Sequence, residues 1–423
     1  MISEEIADVL NRIYEVGLTT ASGGNISVRD EGDVIRITPG STDKGNLSDQ
    51  DVVVVDPDGN HTGKLRPSSE LPMHQAIYRQ RPDLRALLHA HSPALVAFSL
   101  AHEIPDTRVW YPAWKSCGPV GYAPYALPGS QRLGAIMAGE FAQGFSAVIL
   151  ENHGIMVGGR DLAEAYDRFL VLEFCARAIL NAKEIGNPVV ISESLFKMAI
   201  KSRPDPPPVP GEEQIMAEES ERADEIIRFL ERSLKHGLMT DSLGMISVRH
   251  RPGHFLITPP SGQRRKLTAS DLRRVAVDPS EKTTGWDYLT GIHQSIYREN
   301  PEIQSIITTH TPWLMAHAIT EQKPDPATLP ESWLFLQHLH LLTFSEATGN
   351  PSLIPISFRD TTTLIIANDS VTVSGNSLFQ AFDRLELAEF TAQSTALTRS
   401  FGRCCRLTEQ QLDELNKTYL HEK

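Results

Sequence analysis

The first 200 positions of the chain alternate between two spacings of hydrophobic residues. Apolar residues three and four apart predict amphipathic helices, and short apolar runs between turn residues predict buried strands. Helices are expected at about 4–16, 69–80, 93–100, 132–141 and 162–182. Strands are expected at about 25–29, 34–38, 52–55, 84–91 and 147–150. Because helices and strands alternate, we expect an α/β fold in which helices cover a sheet.

The same pattern is repeated in the second half of the chain. GLTTASGGNISVR at 17–29 recurs as GLMTDSLGMISVR at 237–249, with nine of thirteen positions identical. HQAIYRQRPDLRALLHAHSP from His74 pairs with HQSIYRENPEIQSIITTHTP from His293, and ENHGIMVGG pairs with ANDSVTVSG in the same order. A repeat of this length indicates two tandem copies of one domain.

A proline-rich segment separates the two copies. KSRPDPPPVPGEE begins at Lys201, and its prolines remove backbone donors and favour extended geometry. We therefore predict a first domain over 1–200, a linker over 201–215 and a second domain over 216–423.

Composition narrows the class of protein. The 423 residues are 40% hydrophobic and 22% charged, which is typical of a globular chain, and the net charge of −13 argues against a nucleic-acid partner. No apolar run approaches the roughly 20 residues of a membrane span, and the acidic start MISEEIADVL is unlike a signal peptide. We expect a cytoplasmic protein with no membrane partner. The four cysteines form no CxxC pair, which disfavours disulfides and cysteine-ligated metal.

Three histidines stand at the ends of apolar strands. His89 and His91 are two residues apart, so their side chains point to the same face of a strand. His153 follows the apolar run AVIL, and Gly154 after it permits close backbone approach. An isolated pair of histidines is more often a hydrogen-bonded structural feature. Three imidazoles with an open position, however, are the ligand pattern of a catalytic divalent metal, zinc most readily.

A carboxylate and two serines stand where the helix at about 69–80 is expected to start. A serine cap and a proline in the first turn fit a helix N-terminus, where free backbone donors favour an anion. The hydroxyls of Ser68 and Ser69 add donors. Glu70 lies in the predicted first turn, and by itself it would be interpreted as a capping carboxylate. The segment Ser22 to Asn25 is similarly either a plain turn or a second anion cradle.

Taken in order, SGGN with ISVR, ITPG, PSSE with HxxxY, HAH and ENHG closely resemble the class II aldolase/adducin family, whose best-known enzyme is fuculose-phosphate aldolase. The resemblance covers essentially all of the first copy and, more weakly, the second. It implies a three-layer α/β/α fold with a mixed, mainly antiparallel sheet, present in two tandem copies. It also implies assembly around a fourfold axis.

The resemblance implies a role for each motif residue. His89, His91 and His153 fall on the metal ligands, and Glu70 falls on a catalytic acid/base that can also ligate the metal. The implied phosphate-binding positions are Ser22, Gly24, Asn25, Gly40, Ser68 and Ser69. Tyr111 lies close to a tyrosine that family aldolases borrow from a neighbouring subunit as a second acid, and a residue of the second copy is the alternative.

These roles predict a metal-dependent lyase of the retro-aldol type. Its substrate is expected to be a small phosphorylated sugar or ketose, cleaved through a metal-stabilised enediolate with Glu70 as acid/base. Zn²⁺ is the expected metal, with Mn²⁺, Co²⁺ or Fe²⁺ as alternatives. Dehydration, epimerisation or decarboxylation on the same platform stay open, although a glutamate at this position favours cleavage or dehydration over epimerisation. An adducin-like interaction module without enzymatic activity is the alternative from another class.

The second copy has lost most of these residues. The replacements are Asn25 by Met245, Glu70 by Leu289, His89 by Thr308 and His153 by Asp369, while His91 is matched by His310. With one imidazole left, we predict a degenerate domain that holds no metal. Because relatives assemble around a fourfold axis, we expect a homodimer whose four domains form a pseudo-tetramer.

Overall fold

The computed structural model describes residues 2–62, 64–203, 219–260, 262–278 and 287–420. The predicted linker at 201–215 lies outside the described residues from position 204 onward. The predicted helices and strands of the first copy are confirmed, mostly to within two residues.

The first copy contains six helices and eight strands within the described residues. The helices are α1 Ile2–Glu15, α2 Leu71–Gln80, α3 Pro93–Ala101, α4 Tyr111–Cys117, α5 Gln131–Ala142 and α6 Leu162–Ala182. The strands are β1 Asn25–Arg29, β2 Ile35–Ile37, β3 Val53–Val55, β4 His61–Thr62, β5 Ala86–Ala90, β6 Gly121–Ala123, β7 Ala147–Leu150 and β8 Gly154–Gly159. The sequence pattern missed α4, β4, the short edge strand β6 and the strand β8.

These strands form one sheet in the order β4-β3-β2-β1-β5-β8-β7-β6. Every neighbouring pair is antiparallel except β6 with β7, so the sheet is mixed and mainly antiparallel, as predicted. The central pairing of β1 with β5 places Asn25 opposite His89. The sheet therefore aligns two of the candidate site residues through its register.

Helices cover both faces of the sheet because side chains alternate along each strand. On one face, Leu87 of β5 packs in a buried cluster with Met73 and Ile77 of α2 and with Met137 and Phe141 of α5. Other fully buried residues from the sheet and from α1 and α3 lie outside that cluster. This arrangement is the predicted three-layer fold.

Between the copies lies α7 Glu193–Ser202, and the second copy repeats the order of elements of the first. Its helices are α8 Ser220–Lys235, α9 Tyr288–Glu299, α10 Pro312–Ile319, α11 Pro330–Leu336, α12 Phe344–Gly349, α13 Leu353–Ser357, α14 Leu378–Leu397 and α15 Glu409–Leu415. Its strands are β9 Met245–Arg251, β10 His254–Ile257, β11 Arg273–Ala276, β12 Ser305–Thr309, β13 His340–Leu342, β14 Thr363–Ile366 and β15 Ser370–Gly375. They form a sheet in the order β11-β10-β9-β12-β15-β14-β13. This is the strand order of the first sheet, except that no strand among the described residues corresponds to β4.

Two compact units differ from the predicted domain boundaries. One unit comprises Met1–Arg108 and Pro112–Arg177, and the other comprises Val109–Tyr111 and Ala178–Lys423. The end of α6, the whole of α7 and a three-residue segment around Trp110 therefore belong to the second unit. The sequence-based boundaries place them in the first domain, except for the last two residues of α7, which fall in the predicted linker. Among the described residues, no helix is both long and apolar enough to cross a membrane.

Candidate metal centre

The three histidines are positioned by neighbouring strands of the first sheet. His89 lies in β5 and His91 follows it directly, while His153 immediately precedes β8. Asn152 between β7 and β8 adopts a left-handed conformation with φ 54°, which asparagine tolerates better than most residues. This tight turn places His153 beside the end of β5.

The three imidazole rings converge. Their centroids are 4.7 Å apart for His89 and His91, 4.8 Å for His89 and His153, and 5.0 Å for His91 and His153. One ligand nitrogen from each ring lies within 4.8 Å of the others. Within the part of the chain that the structure describes, no other histidine, cysteine or acidic group forms such a cluster.

The protonation of these rings fits a divalent cation. His89 donates from Nδ1 to the carbonyl of Ile155 at 2.9 Å, which leaves the lone pair of its Nε2 facing the cluster. Burial and the neighbouring rings lower the pKa of His91 to about 3, and burial lowers the pKa of His153 to about 4. The Nε2 atoms of His89 and His91 are 2.9 Å apart. Imidazole nitrogens that converge on one point are the donor set that Zn²⁺ binds.

Two glycines make room for His91. A Cβ on Gly23 would lie 2.8 Å from Nδ1 of His91, and a Cβ on Gly154 would lie 2.7 Å from Cδ2 of the same ring. A Cβ on Gly154 would also lie 2.6 Å from the carbonyl oxygen of Ala90. The close approach that the sequence suggested for Gly154 is therefore confirmed, and Gly23 has the same role.

Glu70 faces the histidines instead of capping its helix. Helix α2 begins at Leu71, two residues later than predicted, with Glu70 at the N-cap and no side-chain capping bond. Its carboxylate oxygens lie 3.3 Å from Nε2 of His89 and 3.8 Å from Nε2 of His153. Burial raises the pKa of Glu70, but His89, His153 and a hydrogen bond from Asn25 outweigh it and lower the pKa overall. Glu70 is therefore an ionised carboxylate beside the candidate metal ligands.

The two oxygens of Glu70 have different surroundings. Oε2 accepts a hydrogen bond from Nδ2 of Asn25 at 2.8 Å. Oε1 is buried and has no hydrogen-bond partner among the described residues. A buried carboxylate oxygen without a partner is costly unless a cation or a ligand completes it. The donor set thus fits a bound divalent metal with Glu70 close to it.

Several predicted phosphate-binding residues lie together near the start of α2. The amide of Ser68 donates to the carbonyl of Thr38, and the amide of Gly40 donates to the carbonyl of Arg66, both at 3.2 Å. A Cβ on Gly40 would lie 3.7 Å from the amide nitrogen of Ser69. The loop after β2 and the loop before α2 are thereby held side by side, which brings Gly40, Ser68 and Ser69 together.

The remaining predicted anion positions lie in the turn before β1. Ser22 is exposed, whereas Gly24 is buried with φ 73° and a Cβ there would lie 2.7 Å from the carbonyl oxygen of His89. Asn25 uses both ends of its amide within the protein, since Oδ1 lies 2.5 Å from Nε2 of His74. A phosphate-binding role for these three residues stays a prediction.

No sequence pattern predicted the buried lysine beside this loop. Lys44 is 1% exposed, and its ammonium donates to the carbonyl of Pro39 at 2.5 Å and to the hydroxyl of Thr42 at 3.3 Å. Burial lowers the pKa of Lys44 to about 8. In the second copy, Arg264 occupies the corresponding position and donates to the carbonyl of Pro259 at 2.9 Å. A buried cation therefore supports the same loop in both copies.

Tyr111, the predicted second acid, belongs to the second compact unit. Its ring packs near Phe196 and Phe344, with centroids 5.8 Å and 5.6 Å away, and it is 6% exposed. The guanidinium of Arg203 lies 4.8 Å from the ring centroid. These contacts are those of a packed aromatic residue, and a role of Tyr111 in catalysis stays a prediction.

The corresponding residues of the second copy do not form a ligand cluster. Asp369, which replaces His153, accepts a hydrogen bond from Arg203 at 3.0 Å. The ring of His310 packs edge-on against Trp110 with centroids 5.2 Å apart, and burial lowers its pKa to about 3. Leu289 stands in place of Glu70. The carboxylate that replaces the third ligand is therefore neutralised by an arginine of the chain itself.

The family model called Class II Aldolase and Adducin N-terminal domain matches residues 4–180 and, separately, residues 224–396. The two matches correspond to the two copies, which confirms the tandem duplication.

The chain is also similar to individual enzymes and to a solved structure. A 5-deoxy-D-ribulose 1-phosphate aldolase from Bacillus thuringiensis serovar kurstaki is 37% identical over 195 residues, covering 45% of this chain and 89% of the relative. A 3-oxo-tetronate 4-phosphate decarboxylase from Haemophilus influenzae is 33% identical over 168 residues, covering 39% of this chain and 80% of the relative. The solved structure of an L-fuculose 1-phosphate aldolase is 31% identical and covers 48% of this chain and 95% of that structure, with a TM-score of 0.44.

Proposed function

The chain belongs to the class II aldolase and adducin family and is an enzyme of that class, and from this premise we propose that its first copy cleaves a small phosphorylated ketose by a retro-aldol reaction. The observation that carries the proposal is the position of Glu70. Its carboxylate lies against His89 and His153, and its Oε1 is free of hydrogen bonds among the described residues.

The family depends on a divalent metal, and His89, His91 and His153 are the residues that would hold it here. We propose Zn²⁺, because three neutral imidazoles with an open position are its usual catalytic site. When bound, the metal supplies Lewis-acid polarisation of substrate oxygens.

Glu70 is proposed as the group that moves a proton at carbon. In cleavage of a ketose 1-phosphate, the hydroxyl at C4 loses its proton, the C3–C4 bond breaks and C3 gains a proton. A carboxylate with one oxygen held by Asn25 can present the other oxygen at a fixed place, which is what general acid–base catalysis requires. Tyr111 stays our prediction for the group that acts at the C4 hydroxyl.

The phosphate of the substrate would bind at Ser22, Gly24, Asn25, Gly40, Ser68 and Ser69. The hydroxyls of Ser68 and Ser69 beside the start of α2 are suitable donors for an anion. A phosphate held there, away from the reacting carbon, would orient the substrate and lower the entropic part of the barrier.

Decarboxylation is the second candidate, because one of the relatives is a decarboxylase of a phosphorylated 3-oxo acid. The same histidines and the same anion donors would serve both reactions. The difference lies in whether the bond that breaks leads to an aldehyde or to carbon dioxide.

A substrate screen with metal analysis tests the proposal. The full-length protein is loaded with Zn²⁺ and incubated with four- to six-carbon ketose 1-phosphates, and release of aldehyde is measured. In a separate assay it is incubated with a phosphorylated 3-oxo acid, and release of carbon dioxide is measured. We expect aldehyde release that falls by about 100-fold or more in Glu70→Gln. His89→Ala should lose both metal and activity, whereas His310→Ala, at the position of the second copy that matches His91, should keep both. Carbon dioxide release with the same mutational profile would select the second candidate, and activity that survives His89→Ala would contradict both.

We also propose that two chains associate as a homodimer, which would supply four copies of the domain. Light scattering of the active protein tests this, and an active monomer would contradict it.

A further inference from the structure

A buried line of hydrogen bonds leads away from Glu70 into the first copy. Asn25 bonds to Glu70 at 2.8 Å and to His74 at 2.5 Å, and His74 bonds through its other nitrogen to the hydroxyl of Ser27 at 2.7 Å. The hydroxyl of Ser27 lies 2.9 Å from that of Tyr78. All five residues are buried, and the sequence spacing between bonded partners reaches 51 positions.

The chemistry of each group fixes the direction of the hydrogen bonds between Glu70 and Ser27. An ionised carboxylate only accepts, so Asn25 presents Nδ2 to Glu70 and Oδ1 to His74. Oδ1 only accepts, so His74 carries its hydrogen on Nε2. Burial lowers the pKa of His74 to about 3, so the ring is neutral and its Nδ1 must accept from Ser27. Tyr78 has one hydroxyl hydrogen, which the hydroxyl of Ser27 at 2.9 Å and the backbone carbonyl of Ser27 at 3.0 Å can both accept. The donors of Ser27, His74 and Asn25 all point toward Glu70.

The second copy contains the same tyrosine, serine and histidine, but it lacks the asparagine and the glutamate. Ser247 lies 2.7 Å from Nδ1 of His293 and 2.9 Å from the hydroxyl of Tyr297, the same distances as in the first copy. There, however, Nε2 of His293 bonds to Thr308 at 2.8 Å, because Met245 replaces Asn25. The tyrosine, serine and histidine thus stabilise both domains, and only in the first copy are they connected to a carboxylate.

We propose that Tyr78, Ser27 and His74 are positioning residues that hold Asn25, and through it Glu70, in the orientation that leaves Oε1 available for proton transfer. This inference rests on the proposed function for the role of Glu70, and it adds three residues to which no role in the reaction has been assigned. Because hydrogen bonds in a line polarise one another at low dielectric, loss of one member is expected to loosen the carboxylate at the far end.

Substitutions of His74 and their counterparts at His293 test the proposal. His74→Leu removes both ring hydrogen bonds, and His74→Gln retains a donor close to the position of Nε2. Ser27→Ala is a milder variant for the case in which His74→Leu does not fold. The matched controls His293→Leu and Ser247→Ala disturb an identical buried group that has no carboxylate at its end. Melting temperature and metal content are measured for every variant.

The first readout is exchange of a carbon-bound hydrogen of dihydroxyacetone phosphate, the three-carbon fragment that cleavage of a ketose 1-phosphate releases. Exchange with deuterium from the solvent needs only removal and return of the proton assigned to Glu70. We expect the rate constant at saturating probe to fall about 10- to 100-fold in His74→Leu, with the half-saturating concentration nearly unchanged and the metal retained. His74→Gln should restore most of the rate, Ser27→Ala should lower it less, and both second-copy controls should match the unsubstituted protein. Equal rate losses in His293→Leu and His74→Leu, or an unchanged rate in His74→Leu, would overturn the proposal.

The second readout does not depend on activity. The visible absorption spectrum of the cobalt-loaded protein reports the surroundings of the ion, and Glu70→Gln defines the change that disturbance of this carboxylate causes. His74→Leu and Ser27→Ala should shift the spectrum in the same direction, and the controls should not. If the unsubstituted protein shows neither exchange nor cleavage, the proposed function fails, while the cobalt spectra still decide whether the line of hydrogen bonds positions Glu70. A spectrum of His74→Leu identical to that of the unsubstituted protein would refute it.

Discussion

Arg203 and Asp369 form a buried ion pair in the second compact unit, with Nη1 and Oδ2 3.0 Å apart. Asp369 corresponds to His153, so a guanidinium pairs with the residue that replaces a metal ligand. The rings of Tyr288, Tyr111 and Phe344 enclose the guanidinium at 4.1 to 5.1 Å from its central carbon. A positive charge supplied by the chain therefore occupies, in the second copy, the place that we propose for a metal cation in the first.

Removal of one member of this pair should destabilise the second copy. Asp369→Asn leaves the Arg203 guanidinium buried without its carboxylate, and we expect a loss of about 3 kcal/mol or more in the free energy of unfolding. The double substitution Arg203→Met with Asp369→Leu should recover much of that loss, because no charge is then left buried. Denaturant unfolding of the three proteins measures this, and a double variant no more stable than Asp369→Asn would contradict the expectation.

The chain should bind one divalent ion, not two. Metal analysis after dialysis should give about one equivalent per chain, because three histidines converge in the first copy. Of the three corresponding positions in the second copy, only His310 is a histidine. Removal of the ion by a chelator should lower the melting temperature, because a ligand bound only by the folded state stabilises it. The prediction would be contradicted if the chain bound two equivalents of metal, if both were retained in Arg203→Met, and if one were lost in His310→Ala. The second copy would then contain a metal site.

A methyl group at position 154 should displace His91, one of the proposed metal ligands. In Gly154→Ala the new Cβ would lie 2.6 Å from the carbonyl oxygen of Ala90 and 2.7 Å from the ring of His91, so either the strand or the ring must move. We expect the affinity for Zn²⁺ to fall by about 10-fold or more, as measured by competition with a chelator. Ser370 is the corresponding residue of the second copy and already carries a Cβ, and Ser370→Gly should leave the affinity unchanged.

The metal-free protein should lose stability as the pH falls below about 6.5. Burial lowers the pKa of His293 and of His310 to about 3, and neither is a proposed metal ligand. The unfolded chain takes up a proton on each near pH 6.5, whereas the folded chain does not, so the unfolded state gains protons and the free energy of unfolding falls. Each histidine should contribute roughly 1 kcal/mol per pH unit between these limits.

The substitution His310→Phe tests the contribution of one of these rings. Phenylalanine can retain the packing against Trp110 without taking up a proton, so the variant should lose stability less steeply with falling pH. Urea unfolding at pH 7.5 and pH 5 measures the slope. A slope equal to that of the unsubstituted protein would show that His310 does not contribute.

Loss of the Lys44 charge should weaken anion binding. The ammonium is buried on the carbonyl of Pro39, one residue before the predicted phosphate ligand Gly40, and no carboxylate lies within 4 Å of it among the described residues. A bound phosphate would compensate that charge. We expect Lys44→Met to lower the apparent affinity for inorganic phosphate by about 10-fold or more. Lys44→Arg should retain this affinity, and Arg264→Met in the second copy should not change it. Thermal shifts of the metal-loaded protein over a phosphate titration measure the three variants.

The sequence predicted those features that local patterns and the repeat determine. Helix α6 and strand β7 have the predicted bounds, and the convergence of His89, His91 and His153 follows from strand ends that share one edge of the sheet. The short edge strand β6 was missed because three residues in a proline- and glycine-rich stretch carry no periodicity, and pairing with β7 determines their conformation.

The line from Glu70 to Tyr78 could not be derived from spacing. Ser27 and Tyr78 are 51 positions apart and meet because β1 packs under α2, and each alone resembles an ordinary core residue. The repeat of HxxxY in both copies was the one available signal. Its presence in the degenerate copy favoured a structural interpretation. That interpretation accounts for the bonded tyrosine, serine and histidine, but not for their connection to Glu70.

Asn368 of the second copy adopts the same left-handed conformation as Asn152, with φ 57°, although no histidine follows it. The sharp bend that carries His153 is thus encoded by the local sequence and does not require a coordinated ion. The metal-free first copy should already be preorganised, with little backbone rearrangement on loading. Uptake of the ion would then be limited by the shedding of its own water shell, and the apoprotein could be charged repeatedly without refolding.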